Sequence, residues 1–567
     1  MIIDTVMIFM RSTKKLSLLL ISISLLTGSC SKILNQEPRN STYAEVFWQN
    51  ARDYKAALAG NYSLVRAAFY GPNSDDWWSL NNGKIYYYMY GDAMAKNYFT
   101  IQYTGDRGGG DGLESIQNGD FTGSYNYNSL GNWTKHFKSI AMSNLIIQRA
   151  AAASAETFSD VEDPEKFRRN TLGQAYFLRA LTYFAMTRVW GDVPLVTEPE
   201  EDPINAPQLP RTAKAEVFKQ IEADAKRAVE LLDWKYQSVS DRAVIANRGS
   251  AYALLAHFYL WKATMTDVSS DLPNLDDVNS ADTSIDRILS LGGYTLTDTA
   301  QYYNTFIGKS NEGIFELAAS EDNLEGSAGH IGLSFLRGDY VNGFGSNPRF
   351  FVPQGYLTNH FKVAGEFIPA HWWWSGTEWI WLEDQNLAKM DETDVRYRRN
   401  FAYVSQDRPS CIKYSNVVYR SPNQQEPYLS NNMIIFRLAD MMLLKAEIAL
   451  YKDNPDAAAD IINFFRIRNG TYRKDPSDPD DVDLIVPHGL SKEEVMSEYV
   501  IERGKELFLE GHIFYDLLRT RQYKERIDWL PVDGVRFKRE GFYLPVDPLL
   551  FRYNPFLTQT PYWIGKV

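Results

Sequence analysis

The sequence predicts a mainly α-helical protein, a tetratricopeptide-like solenoid of stacked helical hairpins that carries a large irregular, loop-rich region. Three observations lead there. Apolar residues recur at helical spacing in two blocks, one ending near residue 264 and one beginning near 436. The faces of these stretches are rich in Ala and Gly, which lets helices approach closely. Between the blocks, residues 266–430 lose that period and fill with Gly, Asn, Pro and Trp.

The helices are expected in order over 43–67, 133–152, 171–189, 212–232 and 249–264. In the third, Phe177, Leu181 and Phe184 form one stripe. The fourth follows Pro210, with Thr212 as N-cap and Glu216 in the first turn. In the fifth, Ala251, Leu254, Leu255, Phe258 and Tyr259 make a stripe wider than a coiled-coil seam. The second block predicts helices over 436–451, 455–469 and 491–519. No repeat of constant length recurs, so the repeats are degenerate. Within 266–430 there are short strand-like pieces such as Gly313-Ile-Phe-Glu-Leu317. A second loop-rich stretch, 72–132, contains Gly108-Gly-Gly-Asp-Gly112.

The N-terminus is organised differently. Lys14 and Lys15 precede an apolar run from Leu16 to Leu26, and Thr27-Gly28-Ser29-Cys30 closes it. This is the layout of a secretory signal, and the run is shorter than the roughly 20 residues that span a bilayer. A Cys just after small residues resembles a bacterial lipoprotein signal, in which Cys30 becomes the acylated N-terminus, for example with palmitate. Plain secretion is the alternative reading. Met10 is a second possible start. No later stretch is apolar enough to cross a membrane, so attachment is expected through lipid alone.

The formal charge is -12, and removing residues 1–29, whose net charge is +2, leaves the remainder near -14. Such a balance argues against nucleic-acid binding, which depends on phosphate neutralisation. Once Cys30 is acylated, Cys411 has no partner, so no disulfide framework is expected.

Several segments resemble the SusD/RagB family of outer-membrane nutrient-binding lipoproteins. Leu34-Asn-Gln-Glu-Pro38 looks like the family's Leu-Asp-x-x-Pro, with Asn35 in place of Asp. The most specific match is Ala175-Tyr-Phe-Leu-Arg-Ala-Leu-Thr-Tyr-Phe184 running into Val189-Trp-Gly-Asp-Val-Pro-Leu195. Arg437-Leu-Ala-Asp-Met-Met-Leu-Leu-Lys-Ala-Glu447 and Glu502-Arg503…Glu506-Leu-Phe-Leu-Glu-Gly511…Asp516-Leu-Leu-Arg519 follow, then Tyr543-Leu-Pro545 with Asn554-Pro555. Gly504 and His512 depart from the family, which tends to have Arg at these places. Ser31-Lys32-Ile33 lacks the acidic run that often directs such lipoproteins to the outer face.

The resemblance implies a cell-surface lipoprotein of the outer membrane, with a signal peptide over 1–29 and an N-terminal SusD-like helical region over 30–265. The loop-rich region then covers 266–430 and the C-terminal RagB/SusD region 431–567. It also implies the role of a lid over a SusC-like TonB-dependent channel, capturing an oligosaccharide, or in some relatives a peptide, for import without catalysis or cofactor.

The residues bear on that role directly. Glu502, Glu506 and Glu510 are expected four apart on one helix, a spacing open to acid–base chemistry, yet Arg503, Lys505, Asp516 and Arg519 lie at ion-pair spacing beside them. A structural role is the stronger reading. With seven His, two Cys and no His-Glu-x-x-His, no metal site is expected. The acidic run Asp475 to Asp483 lacks the ligand spacing of an EF-hand and reads as a solvated loop.

Aromatics are the stronger signal, since 14% of residues are Phe, Trp or Tyr. A sugar ring has an apolar C–H face and a polar rim, so it suits a Trp or Tyr plane flanked by Asn, Asp or Arg. Two stretches fit and become the expected ligand contacts. The first holds Trp77, Trp78, Asn81, Tyr90, Asp92, Asn97 and Tyr98; the second holds Tyr340, Phe344, Trp372, Trp373, Trp374 and Trp379. Three consecutive Trp cannot all face one ligand. Trp48, Trp133, Trp190 and Trp261 lie in helical stripes or at helix ends and are expected in the core.

Overall fold

The structure is a computed structural model. It describes residues 47–70, 89–98, 100–101, 116–121, 130–200, 207–319, 331–337, 348, 350–368, 370–382, 385–419, 422–423, 427–473, 483–531 and 533–567. Six long helices come first: α1 (Ala51–Tyr70), α2 (Thr134–Ala152), α3 (Pro164–Trp190), α4 (Lys214–Leu231), α5 (Arg248–Met265) and α6 (Leu275–Leu291). Each packs on the next. The stack then resumes with α7 (Leu438–Tyr451), α8 (Pro455–Arg468) and α9 (Lys492–Glu506), because α6 packs directly on α7. A mainly helical, tetratricopeptide-like stack is therefore the architecture of the chain.

Local chemistry sets the helix ends. Asp163 caps α3 by accepting from the Lys166 N–H, Pro164 opens the helix, and Gly191 at φ +70° ends it. Asn247 with Ser250, and Ser491 with Glu494, form reciprocal capping boxes on α5 and α9. Thr212 differs from expectation. The helix begins at Lys214 without a side-chain cap, and Thr212 instead pairs its backbone with Val193.

The expected core aromatics are buried where the helices meet. Trp190 is fully enclosed, edge-on to Trp133 with ring centroids 5.7 Å apart, and Trp261 is likewise buried. Trp48 is half-buried against Tyr54. Arg179, from the most specific family segment, makes two 2.7 Å bonds to Asp224 and so clamps α3 to α4.

Two expectations are corrected. The loop-rich region does not begin at 266, because α6 follows there and extends the stack to Leu291. Its Val278, Ala281, Ile285 and Ile288 face inward, while Leu275, Leu289 and Leu291 stay exposed. The helix expected over 491–519 is also broken. It stops at Glu506, the chain turns through Leu509 (φ +55°) and Gly511 (φ +82°), and α10 (Ile513–Arg519) follows. Glu510 therefore lies in the turn, off the helix that carries Glu502 and Glu506.

The excursion between α6 and α7 is closed at its neck. Strand β1 (Gly313–Leu317) pairs antiparallel with β6 (Met433–Arg437), so the chain leaves and re-enters the stack at nearly the same place. Between them β2 (Lys362–Ile368) pairs with β5 (Gln385–Met390), and β3 (His371–Trp374) with β4 (Trp379–Leu382). These two ladders are nested in sequence, two separate two-stranded sheets with the second inside the first, and together they form an antiparallel ribbon.

Candidate functional site

The ribbon carries the exposed aromatics. Its register sets Trp372 opposite Trp381 and Trp374 opposite Trp379. Side chains alternate along a strand, so all four indoles share one face. Ring centroids lie 5.3 Å apart in the first pair and 5.4 Å in the second, at interplanar angles of 61° and 53°. These are tilted cross-strand contacts of the kind that stabilise an antiparallel pair. The indoles remain open to solvent, with Trp372 61%, Trp374 48%, Trp379 63% and Trp381 44% exposed. The turn closes on Ser375, whose Oγ accepts from the Thr377 and Glu378 N–H groups, while Gly376 takes φ +98°.

A buried aromatic block roots the ribbon. The helix Gln354–Phe361 runs straight into β2, and its Tyr356 stacks on His360 with centroids 4.2 Å apart. The Tyr356 hydroxyl donates to the Gly504 carbonyl at 2.9 Å. Tyr98 stands 3.3 Å from His360 Nε2 through its hydroxyl. A Cβ on Gly504 would lie 2.5 Å from that nitrogen and 2.7 Å from the Tyr98 oxygen. Glycine at 504 thus leaves room for the Tyr98–His360 pair.

Beside Tyr98 the surface opens into a polar cup of about 190 Å³, lined by Lys96, Asn97, Gln117, Asn118, Arg526 and Asp528, with Trp529 forming part of its wall. Lys96 donates to Asn118 at 2.9 Å, and Asn97 donates to the Arg526 carbonyl at 3.2 Å. Two larger clefts, about 350 and 370 Å³, flank the Trp234–Gln237 segment in the helical stack and hold none of the expected contacts.

The expected site residues divide accordingly. Trp372, Trp374 and Trp379 are brought together on the ribbon, and Asn97 lines the cup. Trp373 pairs with Ile380 through its backbone, but its side chain lies outside the described residues. Cys30, Trp77, Trp78, Asn81, Tyr340 and Phe344 also lie outside the described residues. Three expectations are corrected. Tyr90 is buried edge-on to Trp190 with its hydroxyl on the Leu130 carbonyl, and Tyr98 is buried in the ribbon's root. Asp92 is fully enclosed and accepts the Gly511 N–H at 2.8 Å. Burial raises its carboxyl well above the usual carboxylate range. Their polar groups serve the fold. Trp381 was legible only through the Trp-x-Trp alternation of 379–381, and Arg526 and Trp529 join the cup from far along the chain.

Glu502, Glu506 and Glu510 are all paired with cations. Arg396 reaches Glu502, Glu506 and Asp394, and Arg437 reaches Glu312, Glu506 and Glu510. Lys413 bonds Glu510 at 2.6 Å and Arg466 bonds Glu502 at 3.2 Å. Every member is buried. Burial alone would raise Glu506, but Arg437 and Arg396 outweigh it and hold it near 2. These groups tie the excursion to the stack.

His257, Asp440 and His512 are the described residues nearest to a metal-ligating set. The two imidazoles are stacked, 5.1 Å apart and 14° from parallel, so a metal in one ring's plane falls outside the other's. Asp440 is already bonded to His257 at 2.6 Å and to Arg503 at 3.0 Å. The trio reads as a buried charge junction.

Buried neutral His makes acid sensitivity testable. Burial lowers His136 from its ordinary value to about 3. Between pH 6.5 and about 3 the unfolded chain therefore binds a proton that the folded chain refuses, and stability falls as pH falls. Replacing His136 with Phe removes this contribution. Comparing urea midpoints at pH 7.5 and 5.0, the variant should gain about 2 kcal/mol on the wild type. Equal losses in both proteins would contradict the burial effect.

A family model described as starch-binding and associating with the outer membrane matches residues 81–260, and the SusD family model matches residues 369–563. The chain is 25% identical to a SusD-like protein of Formosa agariphila, over 98% of this chain and 100% of that one. A SusD homolog from Bacteroides thetaiotaomicron superposes with a TM-score of 0.70 at 21% identity, covering 91% of this chain and 99% of the other. NanU of B. fragilis superposes with a TM-score of 0.61 at 18% identity, covering 93% and 99%. At these identities the solved structures speak for the fold alone.

Proposed function

Because this chain belongs to the SusD/RagB family, we propose that it is the glycan-capturing subunit of an outer-membrane nutrient uptake system. It holds an oligosaccharide on the ribbon's Trp face and passes it to a SusC-like TonB-dependent channel. It acts by binding and transforms nothing. It is anchored facing the cell exterior by lipid at Cys30. Among the described residues, no helix is long and apolar enough to cross a membrane, which suits such an anchor.

The observation that carries this reading is the cluster of four solvent-facing indoles. Exposed Trp is costly to leave in water, and a shared aromatic face is what a sugar's C–H surface needs. A second reading, capture of basic peptides, draws on the net charge of -12.

Isothermal titration of the full chain carrying Cys30→Ser, against plant, host and microbial glycans and a peptide pool, separates the two. Heat with at least one oligosaccharide is expected. Heat with peptides only would replace the glycan reading by the peptide one.

A further inference from the structure

We propose that the protein holds one monatomic anion, a halide such as chloride, in an internal cavity beside Arg188. The site is separate from the ribbon and does not depend on what the ribbon binds.

A buried cation without a counter-charge carries the proposal. Arg188 lies in the last turn of α3 and is only 7% exposed. Its guanidinium sits between two rings, 4.5 Å from the Phe184 centroid and 4.2 Å from that of Tyr515 on α10. Among the described residues it makes no hydrogen bond and no ion pair, and its Nε is fully enclosed. The other buried arginines, Arg179, Arg396, Arg437, Arg466, Arg503 and Arg519, each meet at least one carboxylate. Asp92, which lies close by in the fold, does not play that part for Arg188, since its carboxylate accepts from Gly511 instead. Ring contacts and the negative end of α3 offset part of the cost of burying the charge, and each returns less than that burial takes. The site therefore calls for a negative guest.

The cavity suits a small one. The centre of a water-sized particle has about 10 Å³ open to it between Arg188, His136, Phe69 and Tyr515, the room of a single guest. Phosphate, sulfate and carboxylates are too large. Phe69 of α1 with Ala185 and Val189 makes much of the wall apolar, which suits a weakly hydrated halide and not fluoride. His136 of α2 gives the wall a second unsatisfied polar group. Its ring makes no hydrogen bond among the described residues, and its Nδ1 is fully enclosed. A guanidinium offers five N–H donors and a neutral imidazole one. A water in the same place would accept from these donors yet leave the charge uncompensated.

The full chain carrying Cys30→Ser tests this in two ways. Its Tm is followed while sodium gluconate, whose anion is too large for the cavity, is exchanged for chloride, bromide or fluoride. Ionic strength is held constant so that general screening does not change. Chloride and bromide should raise Tm saturably by at least about 1 °C, as a ligand bound only by the folded state does. Fluoride should not. The response should vanish in Arg188→Gln and persist in Arg227→Gln, whose side chain is 52% exposed. Independently, crystals grown in bromide should show an anomalous-scattering peak in contact with the Arg188 guanidinium. That measurement needs no variant, so it decides the matter if Arg188→Gln does not fold. No peak there would overturn the proposal, as would a halide response that Arg188→Gln retains. A Tm that follows chloride no more than gluconate would also overturn it, and any peak would then be binding at crystal concentration only.

Discussion

Replacing Arg437 with Met should leave little folded protein. Its guanidinium is buried and bonds Glu312 at 2.6 Å, Glu506 at 2.9 Å, and both oxygens of Glu510 at 2.7 and 2.9 Å. It also donates to the Glu506 carbonyl at 2.6 Å. Removing it strands three carboxylates, of which only Glu506 and Glu510 keep another cation, Arg396 and Lys413. Breaking a buried pair in this way costs about 3–5 kcal/mol, a large share of the roughly 5–15 kcal/mol that stabilises a typical protein. Arg437 is also the last residue of β6 at the neck of the excursion, so the damage falls where excursion and stack join. The soluble yield and urea midpoint of Arg437→Met read the effect. A midpoint within error of wild type would show that the network does not hold the neck.

The second large effect is expected at Gly91, where two backbones meet. A Cβ there would lie 2.1 Å from the Gly511 carbonyl oxygen and 2.5 Å from its carbon. No rotamer relieves a clash with backbone. The turn Met89–Ala93 must then move off Gly511, which also breaks the Asp92–Gly511 hydrogen bond and leaves Asp92 buried without it. Overpacking and the lost bond together amount to about 2–4 kcal/mol. Gly60 on α1 is the control, because nothing lies within 4 Å of a Cβ built there. Gly60→Ala should instead stabilise by up to about 1 kcal/mol, as in any open helix interior. If both substitutions shift the midpoint alike, the close approach at Gly91 is not what constrains the turn.

Gly91 also shows why part of the site was misread from sequence. Tyr90-Gly-Asp92 has the composition of a sugar-binding loop, an aromatic beside a carboxylate. Its partners, Trp190, Leu130 and Gly511, are distant in the chain, and they convert the same residues into core. Asn97 and Tyr98 are neighbours with opposite fates, one lining the cup and one buried beneath the ribbon. The helix α6 went unread because its apolar residues are sparse among Asp and Ser, and only packing on α5 and α7 makes it part of the stack.

The helical stack, the family and the Trp-rich stretch were legible in the chain alone, because helical periodicity and composition are local properties that each segment carries without its neighbours. Tertiary structure decided which polar and aromatic residues remain open to solvent. It broke the carboxylate helix at Leu507, satisfied Glu502, Glu506 and Glu510 with arginines from 396, 437 and 466, and closed the excursion by pairing β1 with β6. Exposure and ion pairing depend on contacts between residues far apart in the chain, and such contacts leave no periodic trace in it.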